Sequence, residues 1–250
     1  MVDVLVPAKD WSRAKSRLGP RLDAAERSRL AEAMLNDVLS TLVGSPSVDS
    51  VAVIAGSDAI ARTAGGHGAR ILDEATCLAA HGAAPLTPGR ASPEARLNML
   101  LAGAARLARQ RGSMVAVVHA DLPAARPSEI ETALGQCRAT GATVVVADRH
   151  GRGSTMLVHP PGRAARFRFG PDSARSHRLD GARDLVIPAP GLRTDIDSIA
   201  DIEAARAIGV GRFTAEILGS LPFFGHVVKK SPNVQTDRAP TNLLWRDNLE

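Results

Sequence analysis

The feature that most constrains this chain is a series of short apolar runs that lack polar alternation and are separated by stretches of helical period. The strongest is SMVAVVHADLP (113–123), which ends abruptly at Asp121-Leu122-Pro123. DVLVPA (3–8), SVAVIAG (50–56) and ATVVVAD (142–148) have the same character, and ARIL (69–72) and TMLVH (155–159) are shorter examples. A strand that is apolar on both faces has to be covered on both faces, which is the signature of a largely parallel sheet between helical layers. The intervening segments supply the helices. From Asp23 to Val43 apolar residues recur at helical spacing (Leu30, Met34, Leu35, Val38, Leu42), and Gly44 ends the run. Further helices are expected over 57–64, 97–111, 173–181 and 199–208, the last stopped by Gly209. Ser128 with Glu131 reads as a capping box that opens a helix running to Cys137. Residues 75–94 are rich in Ala, Gly and Pro without a period, so a long flexible loop is expected there. The fold class is therefore α/β, three-layer, with a mostly parallel sheet and one domain over residues 1–212. Such sheets bind ligands outside the carboxyl ends of their strands.

Residues 213–250 differ in composition, holding three of the five Phe and two of the four Lys. Two readings are open for this tail: a loosely ordered extension, or an arm packed on a partner subunit in a homodimer. Composition narrows the partners. The chain has 250 residues, a formal net charge of +5 and 3% aromatics. So few aromatics argue against a base-stacking platform for nucleic acid, whereas a modest basic excess suits a small polyanion. No apolar run is long enough to span a membrane. The N-terminus lacks the pattern of an export signal. Cys77 and Cys137 give neither a disulfide framework nor metal-ligand spacing. The expected compartment is the cytoplasm.

Several chemistries lack a motif. No GK[ST], complete G-x-G-x-x-G, G-x-S-x-G or H-E-x-x-H occurs. What remains is carboxylates, lysines and small hydroxyls. Asp121 ends the strongest strand at the ligand-binding edge, where a hard oxygen ligand suits Mg²⁺ bridging phosphates; it would equally serve as a turn cap before Pro123. Asp195 and Asp197 alternate with Ile196, so both carboxylates share one side of an extended segment. Either could instead cap the helix that starts near Ile199. Lys9 and Lys15 lie in the loop after the first strand, as point charges suited to phosphate oxygens. Gly151–Thr155 and Phe169–Ser173 each place small residues and a hydroxyl where an anion could sit, with Arg166, Arg168 and Arg175 near the second. His119 reads as structural, His177 as a surface residue and Cys137 as core.

Six motifs in order resemble one family. They are VPAKDWSRAKSRL (6–18), Met-Leu-Asn-Asp-Val-Leu (34–39), Asp-Leu-Pro (121–123), DRHGRGS (148–154), Phe-Gly-Pro-Asp-Ser (169–173, with His177) and DIDSIADI (195–202). The chain is similar to the guanylyltransferases that activate a phosphorylated three-carbon acid in biosynthesis of the deazaflavin coenzyme F-420, over roughly residues 2–211. The resemblance implies a nucleotide-diphospho-sugar-transferase-like (GT-A-like, Rossmann-type) domain that transfers GMP from GTP to phosphoenolpyruvate or 2-phospho-L-lactate, with Mg²⁺. It further implies that Asp121, Asp195 and Asp197 hold metal and that Ser154, Gly170 and Ser173 bind the acid. Lys9 and Lys15 would hold the triphosphate, and Leu97-Asn98 would lie near the guanosine. Arg96 stands where the family has Gly, and Ser198-Ile199 replace Thr-Pro. A nucleotidyltransferase with another acceptor and an inactive nucleotide-binding scaffold are the alternatives.

Overall fold

The computed structural model describes residues 1–11, 15–82, 91–109, 113–222 and 224. Among them seven strands form one sheet: β1 (Val2–Ala8), β2 (Ser50–Ala55), β3 (Arg70–Asp73), β4 (Met114–Val118), β5 (Val144–Ala147), β6 (Ser154–His159) and β7 (Arg183–Asp184). Their order is β3-β2-β1-β4-β6-β5-β7. The pairings β1·β2, β1·β4, β2·β3 and β5·β7 are parallel. Only β6 runs antiparallel to its neighbours β4 and β5.

Every residue of β4, β5 and β6 is buried, as unbroken apolar runs predict. Strand alternation divides the side chains of the sheet between two cores. Val4, Val6, Ala116 and Val118 face α1 (Ala24–Val43) and α5 (Pro127–Thr140). Leu5, Val115, Val117 and Leu157 face α3 (Glu74–His81), α4 (Pro93–Arg109), Phe167 and Phe169. Full burial of an aliphatic side chain contributes about 1.5–3 kcal/mol, so these two layers dominate the stability. At the opposite end from the strand C-termini, buried Asp3 accepts hydrogen bonds from the hydroxyls of Ser50 and Ser113, pinning three chain segments together.

The long loop expected over 75–94 is corrected in its first part. Residues 74–81 are α3, with the Asp73 side chain accepting from the Thr76 amide at 2.8 Å and Gly82 in the left-handed conformation at its C-terminus. The segment Ala75–Ala80 has no visible period because α3 packs its backbone, not a row of large side chains, against α4. A Cβ at Gly103 of α4 would lie 1.7 Å from the Cys77 carbonyl oxygen, so only glycine permits this approach. Residues 83–90 lie outside the described residues.

One cap also differs. α5 is capped two residues earlier than the Ser128 box, at Arg126, whose amide donates to Glu129 Oε2 at 3.0 Å. Glu131 instead accepts from the Ser47 amide at 2.8 Å. The folded domain also continues past residue 212. Helix α9 (Arg212–Ser220) lies against α1, and Leu218, Leu221 and Phe224 are buried with Leu30, Met34 and Ile202. Buried Asp37 of α1 caps it, accepting from the amides of Phe213 (3.1 Å) and Thr214 (2.8 Å). The rest of the expected tail, 225–250, lies outside the described residues. No helix among the described residues is long and apolar enough to cross a membrane.

Candidate active site

A cleft of about 450 Å³ opens at the carboxyl ends of β1 and β4. Its walls include Lys9 and Trp11 after β1, Lys15 and Arg17, Met34 of α1, Leu97 of α4, His119 and Asp121 after β4, and Asp195 and Asp197. The chain crossing β4's end brings the acids together. The Ile196 amide donates to the Asp121 carbonyl at 3.1 Å, so Asp195 and Asp197 flank Asp121 as short extended partners. The three carboxylates offer oxygens within 4.8 Å of one another, the geometry of a set that could hold a metal ion.

The helix-cap alternative resolves here. Ser198 is the N-cap of α8 (Ile199–Ile208), and the Asp201 carboxylate completes the box. Asp201 Oδ2 accepts from the Asp197 amide (3.1 Å), the Ser198 amide (2.7 Å) and the Ser198 hydroxyl (2.7 Å). Its Oδ1 accepts from Arg149 Nε (2.8 Å) and Nη2 (2.6 Å). Neither Asp195 nor Asp197 is needed as a cap, and both face the cleft. The sequence does not mark Arg149 or Asp201 as a site residue. The Ser-x-x-Asp spacing at 198–201 was the available signal for Asp201, whereas Arg149 meets it only through the fold.

The electrostatics follow from crowding. Burial and the neighbouring Asp121 and Asp197 charges push the Asp195 carboxyl up to about 7. Burial also works to raise Asp121, but the Lys15 ammonium outweighs it and holds that carboxyl below its ordinary value. Lys15 Nζ lies 2.5 Å from Asp121 Oδ2 and 3.1 Å from Asp197 Oδ1. Burial alone would lower the lysine, yet these two carboxylates raise it above its ordinary value. Arg17 reaches Asp197 at 3.5 Å from the solvent side. One oxygen of the cluster, Asp121 Oδ1, is buried with no hydrogen-bond partner among the described residues. An orphaned hard oxygen among crowded carboxylates fits a divalent cation.

The remaining expected residues lie elsewhere. Asn98 does not line the cleft; its amide donates to the Phe169 carbonyl and accepts from the Phe169 amide, both at 2.9 Å. Ser154, Gly170 and Ser173 also lie outside the cleft lining. Ser154 and Ser173 are buried, and Gly170 sits at φ 144° against Glu94. His177 is corrected from surface to core: it is 1% exposed, between Ser154 Oγ (2.9 Å) and the Arg168 amide (3.0 Å). Since Nε2 accepts from that amide, Nδ1 carries the proton and donates to Ser154. Burial holds the His177 pKa down at about 4. Phe169 stacks its edge between this histidine and His119, at centroid distances of 5.0 and 5.1 Å, and so joins the serine loops to the cleft wall. Arg96, the departure from the family glycine, pairs with Glu74 and ties α4 to α3.

Sheet topology and acidic cleft define a nucleotide-diphospho-sugar-transferase-like α/β domain. The structure covers 87% of itself and 93% of a putative nucleotide-diphospho-sugar transferase from Desulfovibrio desulfuricans, with a TM-score of 0.61 at 15% identity. In sequence the chain is 41% identical to a phosphoenolpyruvate guanylyltransferase of Rhodococcus erythropolis, over 87% of this chain and 95% of that one. It is 38% identical to phosphoenolpyruvate guanylyltransferase 1 of Rhodococcus jostii, over 87% and 93%. Residues 2–80 match the family described as guanylyl transferase CofC like. The chain belongs to that family of guanylyltransferases.

Proposed function

We propose that this protein transfers GMP from GTP to phosphoenolpyruvate in coenzyme F-420 biosynthesis, in the cytoplasm. A phosphate oxygen of the acid attacks the α-phosphorus of GTP. The bond from that phosphorus to the α–β bridging oxygen breaks, and pyrophosphate leaves with the electron pair. The observation that carries the reading is the gathering of Asp121, Asp195 and Asp197 around Lys15 at the carboxyl edge of the sheet, in a chain 41% identical to a phosphoenolpyruvate guanylyltransferase.

The chemistry needs charge control more than proton transfer. An acceptor phosphate with a second pKa of about 6 is already mostly ionised at neutral pH and needs no general base. Asp121, Asp195 and Asp197 would hold Mg²⁺, which when bound neutralises phosphate charge and aligns the transferring group. Lys9 and Lys15 place positive charge at the same cleft for the triphosphate. Leu97 offers an apolar wall near the nucleoside, while Asn98 acts by fixing the backbone at Phe169. Ser154, Gly170 and Ser173 are assigned to the phosphorylated acid. Because His177 donates to Ser154, the serine keeps its own proton for an anion.

Pyrophosphate release from GTP with each acid tests the reading. Turnover with phosphoenolpyruvate well above that with 2-phospho-L-lactate is expected. Preference for the lactate, or for CTP or UTP over GTP, overturns it. D121N should keep the fold and lose GMP transfer; near wild-type turnover in Mg²⁺ removes the carboxylate assignment.

A further inference from the structure

Lys15 stands where a cation held by the carboxylates would have to stand. Its ammonium lies within 3.1 Å of oxygens on two of the three acids, whose ligand oxygens all lie within 4.8 Å of one another. A Mg²⁺ ion sits about 2.0–2.1 Å from each oxygen it binds, so an ion among these oxygens and the ammonium at its present position exclude each other. The φ of Lys15 is 55°, a left-handed conformation that residues other than glycine adopt at a cost, so the contacts around the lysine hold its backbone there. Its side chain is 10% exposed, so it fills the gap between the acids instead of lying over them. Arg17 sits on the outer side of Asp197 and is 78% exposed, so it does not fill this gap.

We propose that Lys15 is a built-in stand-in for the metal: in the free protein its ammonium bridges Asp121 and Asp197, and it leaves them when metal and nucleotide enter together. This rests on the guanylyltransferase reading and adds a second station to the lysine's role at the triphosphate. In the free protein three acids with no cation between them would repel one another, and the ammonium offsets part of that repulsion. Metal alone has to displace the ammonium into a cleft with no anion to receive it. With the triphosphate present the displaced ammonium meets phosphate oxygens, so metal and nucleotide bind cooperatively, each favouring the other by the same factor.

The test is Mn²⁺ binding to the full chain without nucleotide, read by calorimetry or by loss of the free-ion paramagnetic signal. K15Q should bind Mn²⁺ about tenfold tighter than the wild type, because a charge competing for the same oxygens is gone. K15R keeps the competing charge and should not bind tighter. Equal or weaker Mn²⁺ binding by K15Q overturns the proposal. Should K15Q fail to fold, wild-type Mn²⁺ affinity with and without a non-hydrolysable GTP analogue decides, and no tightening by the analogue overturns it. GMP transfer by the wild type is scored separately. Transfer without any Mn²⁺ binding to either protein overturns the lysine's role and leaves the transferase reading standing. Failure of transfer with tighter Mn²⁺ binding by K15Q does the reverse.

Discussion

His177 offers a stability measurement that isolates one buried group. Its ring receives the Arg168 amide on Nε2 and gives its Nδ1 proton to Ser154. A second proton would have to sit on Nε2, pointing at an N–H donor, in a site that is 1% exposed. Burial accordingly lowers the folded-state pKa from 6.5 to about 4. In the unfolded chain the histidine binds its proton near pH 6.5, so between these values the unfolded state carries more protons. Stability from His177 is therefore complete above about pH 6.5 and is lost as pH falls towards 4. The full shift corresponds to about 3 kcal/mol at 1.36 kcal/mol per unit. At about pH 5 the loss is about 2 kcal/mol relative to pH 8, or about 4–8 °C in Tm for a chain of this size.

The wild-type protein alone will not display it. Asp195 is shifted in the opposite sense, up to about 7. A carboxyl whose folded pKa is raised binds more protons folded than unfolded, so it adds stability as pH falls through 7 towards 4. The two windows overlap and oppose each other. The assay is urea unfolding of wild type and H177Q at about pH 8 and pH 5, without divalent metal. Asp195 is common to both proteins and cancels in the difference. The gap between wild type and H177Q should shrink by about 2 kcal/mol on going to pH 5. An unchanged gap means that the imidazole titrates normally, and the buried tautomer described above is then wrong.

Three further outcomes are expected. G103A should lose at least about 3 kcal/mol in urea unfolding, since its methyl would meet the Cys77 carbonyl at 1.7 Å and α3 would have to lift from α4; a loss below about 1 kcal/mol would mean that the helices part easily. D37A removes the acceptor for the Phe213 and Thr214 amides, costing about 2 kcal/mol and speeding amide exchange in α9 more than in α5. D201N weakens the Arg149 pair and the hold on the Asp197 and Ser198 amides, and should raise the apparent metal constant about 10–100-fold, as loss of a partner behind a metal ligand does, with little change in KM for the acid.

Layer order and the carboxylate edge were legible because they depend on local signals. An unbroken apolar run states that both faces are covered, and the first carboxylate after it marks the edge; for β4, past His119 and Ala120, that is Asp121. Ala75–Ala80 carried no such signal. A helix that packs through its backbone against a glycine leaves no stripe of large side chains, so α3 read as loop. α9 was missed for a related reason, since its anchor is Asp37, 176 residues earlier in the chain than Phe213. His177 looked exposed because a short helix rich in Arg and Ser suggests a surface. Its burial comes from Phe169, in the loop before its own helix, and from Ser154 at the start of β6.

Asn98 and Asp201 share a further lesson about sites of this kind. The family resemblance implies that Asn98 lies near the guanosine, yet its side chain, like that of Asp201, is spent on holding neighbouring segments in place. Asn98 fixes Phe169 through two hydrogen bonds, and Asp201 fixes Asp197 and Ser198 through three. Phe169 carries the loop of Gly170 and Ser173, while Asp197 carries the carboxylate end of the cleft. Arg149 extends the second clamp to the loop that ends in Ser154, and its amide donates to the Arg193 carbonyl at 2.7 Å, two residues before Asp195. The elements assigned to acid and metal are thus tied to one frame by polar groups that touch neither. In a reaction whose barrier is alignment and charge, with no general base to tune, such fixing of distance is the main service the protein scaffold performs.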